Sequence, residues 1–138
     1  MLTIQEIFDE IKTSGGLTPS RRLRDIATRF PDQVAFRDKR FGIWNEITYG
    51  EFWTQVQYVG SALNYFGIER TDKVAIHSEN RPEWLISDLA IMLADGITVP
   101  AYTTYIERDY EYLINDCKPS VVIVSDNLQY KKIENIIR

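Results

Sequence analysis

Residues Lys73–Ala101 read KVAIHSENRPEWLISDLAIMLADGITVPA, and the architecture of the chain turns on how this stretch is read. Val74-Ala75-Ile76 is a short apolar run closed by His77, which predicts a strand over Lys73–His77. Asn80 to Asp95 reads as a helix, with Asn80 as its cap and Glu83 at the third position. Trp84, Leu85, Ile86, Leu89, Ile91, Met92 and Leu93 leave that helix apolar on most sides, so it is expected to be deeply buried. Ile97 to Pro100 is a second β-branched run. Two strands separated by a buried helix and short links predict a parallel pair joined by a right-handed crossover.

The pattern repeats downstream. Glu107 to Cys117 reads as a helix with Tyr110, Leu113, Ile114 and Cys117 inward. Ser120 to Ser125 reads as a strand whose core, VVIV, is continuously apolar, and Asn127 to Arg138 as a last helix. Upstream, Thr48-Tyr49-Gly50-Glu51 is a capping box, followed by a helix striped by Phe52, Val56, Val59, Leu63 and Phe66 and closed by Gly67 at C′. Gly60 lies inside this helix, where glycine costs about 1 kcal/mol relative to alanine, so a close neighbour is expected there. Gln33–Arg37 and Ile43–Thr48 read as the strands of a hairpin turning through Asp38–Gly42. Thr18-Pro19 opens a helix with Leu23, Ile26, Ala27 and Phe30 on one face, stopped by Pro31. Residues 2–12 place Leu2, Ile4, Ile7, Phe8 and Ile11 at helical spacing, ahead of Gly15-Gly16. This amphipathic helix could meet a membrane or a partner; packing on its own domain is the first expectation. The division is therefore 1–16, helix and linker, and 17–138, an incomplete α/β unit. The fold class is α/β: a parallel or mixed sheet with helices on both faces, preceded by helices and a β-hairpin. The helical pattern runs to Arg138 with no closing glycine or proline, a hint of truncation.

Composition narrows the function. The 138 residues carry a net charge of −4, and Arg21-Arg22-Arg24 and Lys39-Arg40 are short enough to read as solvated faces. No nucleic acid is expected as a partner. With one cysteine, Cys117, and one histidine, His77, the chain can form no internal disulfide and no zinc cluster. A catalytic triad would have to use His77, which reads first as a polar residue at a strand end. The N-terminus has no basic leader, and Asp88 and Asp95 interrupt the most apolar stretch, so the expected compartment is the cytoplasm. No strand leads into a glycine-rich phosphate loop. Glu107 and Glu111 share a helix face and read as solvated.

Ligands of open α/β sheets bind beyond the carboxyl ends of the strands. Here those ends are His77-Ser78-Glu79-Asn80, Pro100 to Tyr105 and Ser125-Asp126-Asn127, all polar. They suit a site, and they equally suit caps and turns.

Two segments resemble a known family. Ile47-Thr48-Tyr49-Gly50-Glu51-Phe52 is similar to the first core motif of the adenylate-forming (AMP-binding) enzymes, which include acyl-CoA synthetases, peptide-synthetase adenylation domains and luciferases. Phe52 stands where leucine is usual. Leu93-Ala94-Asp95-Gly96-Ile97-Thr98-Val99-Pro100 resembles the second motif, with Ala94 and Asp95 departing from it. Asp72–Ile76, Glu79–Trp84 and Val99–Thr104 look most like the long-chain fatty-acyl-CoA synthetase branch. The resemblance covers about residue 18 to the end, roughly the first quarter of such an enzyme. It implies an N-terminal fragment of an ATP-dependent ligase that adenylates a carboxylate, then passes the acyl group to coenzyme A. ATP, Mg²⁺, coenzyme A and a fatty acid are implied for the whole enzyme. None is expected to be bound by this chain alone, whose partner is the remainder of the synthetase. The family's phosphate loop, metal carboxylates and C-terminal lysine match nothing here, so no catalytic, cofactor-binding or metal residue is assigned. Tyr102, Thr103 and Thr104 are the candidate rim of the substrate pocket. Gly96 is expected to end the buried helix, Ile97–Val99 to fill the sheet and Pro100 to stop its ladder. The alternatives are a stand-alone α/β binding module without catalysis, and a homodimer contact made by the N-terminal helices.

Overall fold

The computed structural model describes residues 3–13 and 18–137. Gly15-Gly16, Leu2 and Arg138, and the side chains of Ile7 and Ile11, lie outside the described residues, and the readings made of them with them. Helix α1 (Ile4–Thr13) starts on a capping box: Glu6 N–H donates to Thr3 Oγ1 at 3.2 Å and Thr3 N–H to Glu6 Oε2 at 2.6 Å. Its Ile4 and Phe8 are exposed, against the expectation that this stripe packs on its own domain. Helix α2 (Pro19–Arg29) is capped by Thr18, and its Leu23 and Ala27 are buried. Phe30 is the exposed C-cap instead of part of the apolar face.

Strands β1 (Val34–Arg40) and β2 (Ile43–Thr48) form an antiparallel hairpin. The first strand runs three residues further than expected, because Phe41 (φ +51°) and Gly42 (φ +82°) complete the reversal by themselves. Two consecutive positive-φ residues are what a right-twisted two-residue hairpin needs. Asp38 and Lys39, expected in the turn, pair with Asn45 and Trp44.

Helix α3 (Tyr49–Tyr65) has both halves of its capping box: Glu51 N–H donates to Thr48 Oγ1 at 3.2 Å, and Thr48 N–H to Glu51 Oε2 at 2.9 Å. It ends in a Schellman motif, with Gly67 N–H on Asn64 O and Ile68 N–H on Leu63 O, and Gly67 at φ +84°. Phe66, assigned to the stripe, is the C-cap and lies exposed. Gly60 is buried where a Cβ would come within 3.3 Å of Leu93 Cδ2 and 3.4 Å of Ala90 O, so α3 packs closely on the next helix.

Strand β3 (Lys73–His77), helix α4 (Pro82–Leu93), strand β4 (Ile97–Ala101), helix α5 (Glu107–Cys117), strand β5 (Val121–Val124) and helix α6 (Asn127–Ile133) complete the chain. The sheet is parallel, in the order β4-β3-β5, with Ile76 opposite both Pro100 and Ile123. Val74, Ile76, Val121 and Ile123 face α3 and α4 in the larger core, with Val56, Leu63, Ile86 and Ile91. Val122 and Val124 join Ala101, Tyr110 and Ile133 in a second core under α5 and α6. Period-two alternation thus supplies both faces, and the α/β architecture is the one expected.

Several boundaries differ. Helix α4 begins at Pro82, whose fixed φ suits the first turn, so Arg81 is the N-cap and Asn80 lies outside. Leu85 and Leu93 on α4 are about 40% exposed, so its burial is one-sided. Its C′ residue is Asp95, at φ +59°, while Gly96 N–H bonds Ile91 O at 2.9 Å. Gly96 is therefore not the left-handed residue. A Cβ there would lie 3.1 Å from Ile91 Cγ2 and 3.3 Å from both Asp72 O and Ile91 O. Ile97 is 46% exposed on the outer strand, and the ladder continues past Pro100 to Ala101. Proline is tolerated there because β4 has a neighbour on one side only. Helix α6 stops at Ile133, five residues short of the expected end.

Candidate functional site

The parallel register brings the three polar strand ends to one edge. Ser125 N–H donates to His77 O at 3.1 Å, which ties the end of β5 to that of β3. Asp126 caps α6 by accepting from Gln129 N–H at 2.8 Å. Gln129 then reaches back, its Nε2 donating to Glu79 Oε1 at 3.2 Å. The Glu79 carboxyl is held below its ordinary range, the Ser125 hydroxyl first among the influences, although that buried hydroxyl makes no hydrogen bond of ordinary geometry among the described residues.

His77 is 1% exposed. Its Nε2 and the Tyr110 hydroxyl are hydrogen bonded, and that hydroxyl also donates to Tyr102 O. The rings of His77 and Tyr110 lie 4.2 Å apart. Burial, then the charge of Lys132, lowers the His77 pKa, while Gln129, Glu79 and Asp126 oppose the shift. His77 is thus a neutral, buried, structural imidazole rather than a base facing a substrate. Burial likewise raises the Tyr110 phenol.

A cleft of about 300 Å³ opens between the ends of β3 and β4, lined by Ser78, Asn80, Trp84, Pro100, Ala101 and Tyr102. Of the three expected rim residues, Tyr102 lines this cleft and is 72% exposed. Thr103 is half-buried, and its carbonyl accepts from Lys132 Nζ at 2.6 Å. Thr104 is exposed. Tyr102 O also accepts from Tyr105 N–H at 3.1 Å, so residues 102–105 form one hydrogen-bonded turn. Tyr110, Gln129 and Lys132 join this edge from α5 and α6. Tyr110 was legible as an inward residue of α5, but nothing in the spacing shows that Lys132 reaches Thr103.

A second polar cluster flanks this edge. Arg40 at the end of β1 bonds Asp38 at 2.6 Å and Glu83 at 2.5 Å, and Arg81 Nε meets Glu83 at 2.8 Å. The two guanidiniums, Arg81 first, hold the Glu83 carboxyl down to about 2. Glu107 and Glu111 are exposed, as expected, and Cys117 is half-buried, with burial raising its thiol. Among the described residues no group of three His, Cys, Asp or Glu could hold a metal ion, and no helix is long and apolar enough to cross a membrane.

A parallel α/β unit with polar residues gathered at the strand carboxyl ends, entered through a hairpin and a capped helix, is the frame of a ligand-binding α/β domain. The family model of AMP-binding enzymes matches residues 23–137. Long-chain-fatty-acid–CoA ligase ACSBG1 of Bos taurus is 30% identical over 108 residues, 78% of this chain and 15% of that protein. The long-chain-fatty-acid–CoA ligase of Bacillus subtilis is 32% identical over 112 residues, 81% of this chain and 19% of that protein. The NpsA N-terminal subdomain of Klebsiella oxytoca, solved with 3-hydroxybenzoyl-AMSN, superposes with a TM-score of 0.69 at 29% identity, over 78% of this chain and 26% of that one. A putative long-chain-fatty-acid CoA ligase from Rhodopseudomonas palustris shares the fold, with a TM-score of 0.77 at 24% identity, over 88% of this chain and 30% of that one. The chain belongs to the AMP-binding enzyme family. It spans less than a fifth of the length of the two curated relatives.

Proposed function

We propose that this chain is the N-terminal part of the adenylating domain of an ATP-dependent acyl-CoA synthetase acting on long-chain fatty acids in the cytoplasm. The observation that carries the reading is the ordered pair of core motifs. Thr48–Glu51 forms the cap of α3, and Asp95–Pro100 forms the junction of α4 and β4, in a segment that aligns with ligases named for long-chain fatty acids. Likeness to the NpsA N-terminal subdomain solved with 3-hydroxybenzoyl-AMSN, together with the AMP-binding family match, supports the first half-reaction.

The residues described here do not fit the cofactors. No set of acidic groups among them converges on a metal, and no glycine-rich loop follows a strand. We therefore assign ATP, Mg²⁺ and coenzyme A to other parts of the whole enzyme. What this chain contributes is a buried frame and one rim of the acyl site: Tyr102, Thr103 and Thr104 at the carboxyl end of β4. The test joins this chain to the sequence encoded downstream of codon 138 and measures fatty-acid-dependent release of pyrophosphate from ATP, then thioester formation with coenzyme A. Activity on a C16 acid and none on aryl or amino acids supports the reading. Activity confined to aryl or amino acids would replace the substrate class.

A further inference from the structure

A phenol has one proton to donate. Tyr102 O can only accept, so the Tyr110 hydroxyl spends its proton there, and His77 Nε2 must carry the hydrogen that it shares with Tyr110 Oη. This fixes the neutral tautomer of His77 and makes a directed chain: His77 Nε2–H to Tyr110 Oη–H to Tyr102 C=O. His77 Nδ1 is then an acceptor, and neither it nor the buried Gln129 Oε1, whose side chain also bears on the His77 pKa, makes a hydrogen bond of ordinary geometry among the described residues. The next carbonyl, that of Thr103, is held from another helix by Lys132. Two successive carbonyls are thus clamped from α5 and α6, and the ring of Tyr105 packs 5.6 Å from those of Tyr102 and Tyr110. A solvent-facing turn needs none of this. Water would satisfy both carbonyls, and burying an imidazole with one nitrogen unpaired is costly.

We infer that His77, Tyr110 and Lys132 are positioning residues that hold the turn Tyr102–Tyr105 in one conformation at the mouth of the cleft, so that its hydroxyl-bearing side chains meet a carboxylate substrate already ordered. The substrate half of this inference rests on the synthetase reading above; the clamp itself does not. Pre-ordering a rim removes an entropic cost that binding would otherwise bear, so its loss falls on substrate affinity before it falls on turnover.

The clamp is tested on the 138-residue chain by amide hydrogen exchange. Tyr105 N–H is the reporter, because it shares the Tyr102 carbonyl with Tyr110. Tyr110→Phe keeps the buried ring and removes the donor; Lys132→Met keeps much of the aliphatic stem. Tyr105 exchange should quicken about fivefold in Tyr110→Phe, the scale of one net hydrogen bond, beyond any change in the α3 amides. Unchanged Tyr105 exchange in both variants overturns the clamp. In the synthetase carrying the downstream sequence, Tyr110→Phe should raise KM for the acid severalfold with kcat kept at a temperature where the variant is folded. Faster exchange with unaltered KM overturns the substrate half. A wild-type enzyme inactive on every carboxylate overturns the synthetase reading and the substrate half with it, while the exchange result still decides the clamp.

Discussion

Gly96 is the residue at which two explanations of one glycine give opposite expectations. If it were the left-handed cap of α4, alanine would be strained by its backbone. It is not: Asp95 holds that conformation, at φ +59°. Gly96→Ala should then gain about 0.4–1 kcal/mol by restricting the unfolded chain. Against this stand three contacts of the added methyl, at 3.1 Å to Ile91 Cγ2 and 3.3 Å to two backbone oxygens. The side-chain carbon could give by a few tenths of an ångström. The oxygens cannot move as freely, because Asp72 O accepts Ile97 N–H at 2.7 Å and Ile91 O accepts Gly96 N–H at 2.9 Å. Overpacking of this kind costs about 1–3 kcal/mol, so the contacts win and the net loss should be about 1–2 kcal/mol.

The control is the neighbouring residue. Asp95→Gly should be neutral or mildly stabilising, since glycine enters the left-handed region freely. Asp95→Ala should lose roughly 1 kcal/mol. Urea unfolding followed by Trp fluorescence measures all three midpoints. A Gly96→Ala chain as stable as wild type would refute the close-approach account. An Asp95→Gly chain destabilised by more than about 1 kcal/mol would refute the assignment of the left-handed position.

Thr48→Ala removes the N-cap acceptor of α3 and should lower stability by about 0.5–2 kcal/mol, read from the same urea midpoints, with Thr48→Ser close to wild type. His77 is held neutral in the folded chain with its pKa below the ordinary 6.5. Its contribution is therefore intact above pH 6.5. Below that, the unfolded chain binds a proton that the folded chain refuses, and stability should fall by up to about 1.4 kcal/mol per pH unit. Lys132 sharpens this fall while Glu79 and Asp126 soften it. Denaturation midpoints that stay flat between pH 7 and 5.5 would show that the imidazole takes its proton readily. Carbon-detected NMR titration should find the Glu83 carboxyl near 2, and Arg81→Gln should raise it more than Arg40→Met does; an ordinary value of about 4.5 in the wild type would dissolve the cluster.

What the sequence shows well is what short-range physics decides. The capping box at Thr48, the left-handed Gly67 and the close approach at Gly60 all follow from patterns within a helix. The strand–helix–strand alternation then leaves few ways to bury both faces of VVIV. The errors sit where two local signals compete. Asn80 is a better cap than Arg81 by propensity, yet Pro82 sets the first helical turn and so moves the cap to the residue before it. Asp38 and Lys39 look like turn residues, yet Phe41-Gly42 reverses the chain in two residues and leaves both free to pair. In DGITVP the eye goes to glycine for the left-handed position, although aspartate tolerates it and the glycine is needed one step later for space.

The candidate site was legible only as a place. The rule about strand carboxyl ends picked three polar segments, and the fold does bring them to one edge. Which groups hold that edge together depends on separations of 8, 29, 33 and 50 residues, from Tyr110 to Tyr102, Lys132 to Thr103, Tyr110 to His77 and Gln129 to Glu79. No periodicity spans such distances. The consequence for function is specific. Two carbonyls at this edge are held by side chains of α5 and α6, while His77 Nδ1, Ser125 Oγ and Gln129 Oε1 lie buried with no hydrogen-bond partner among the described residues, and Tyr102 and Thr104 face outward. An edge whose two successive carbonyls are clamped from α5 and α6 is held to one shape. Holding a shape is the contribution that we propose for this frame.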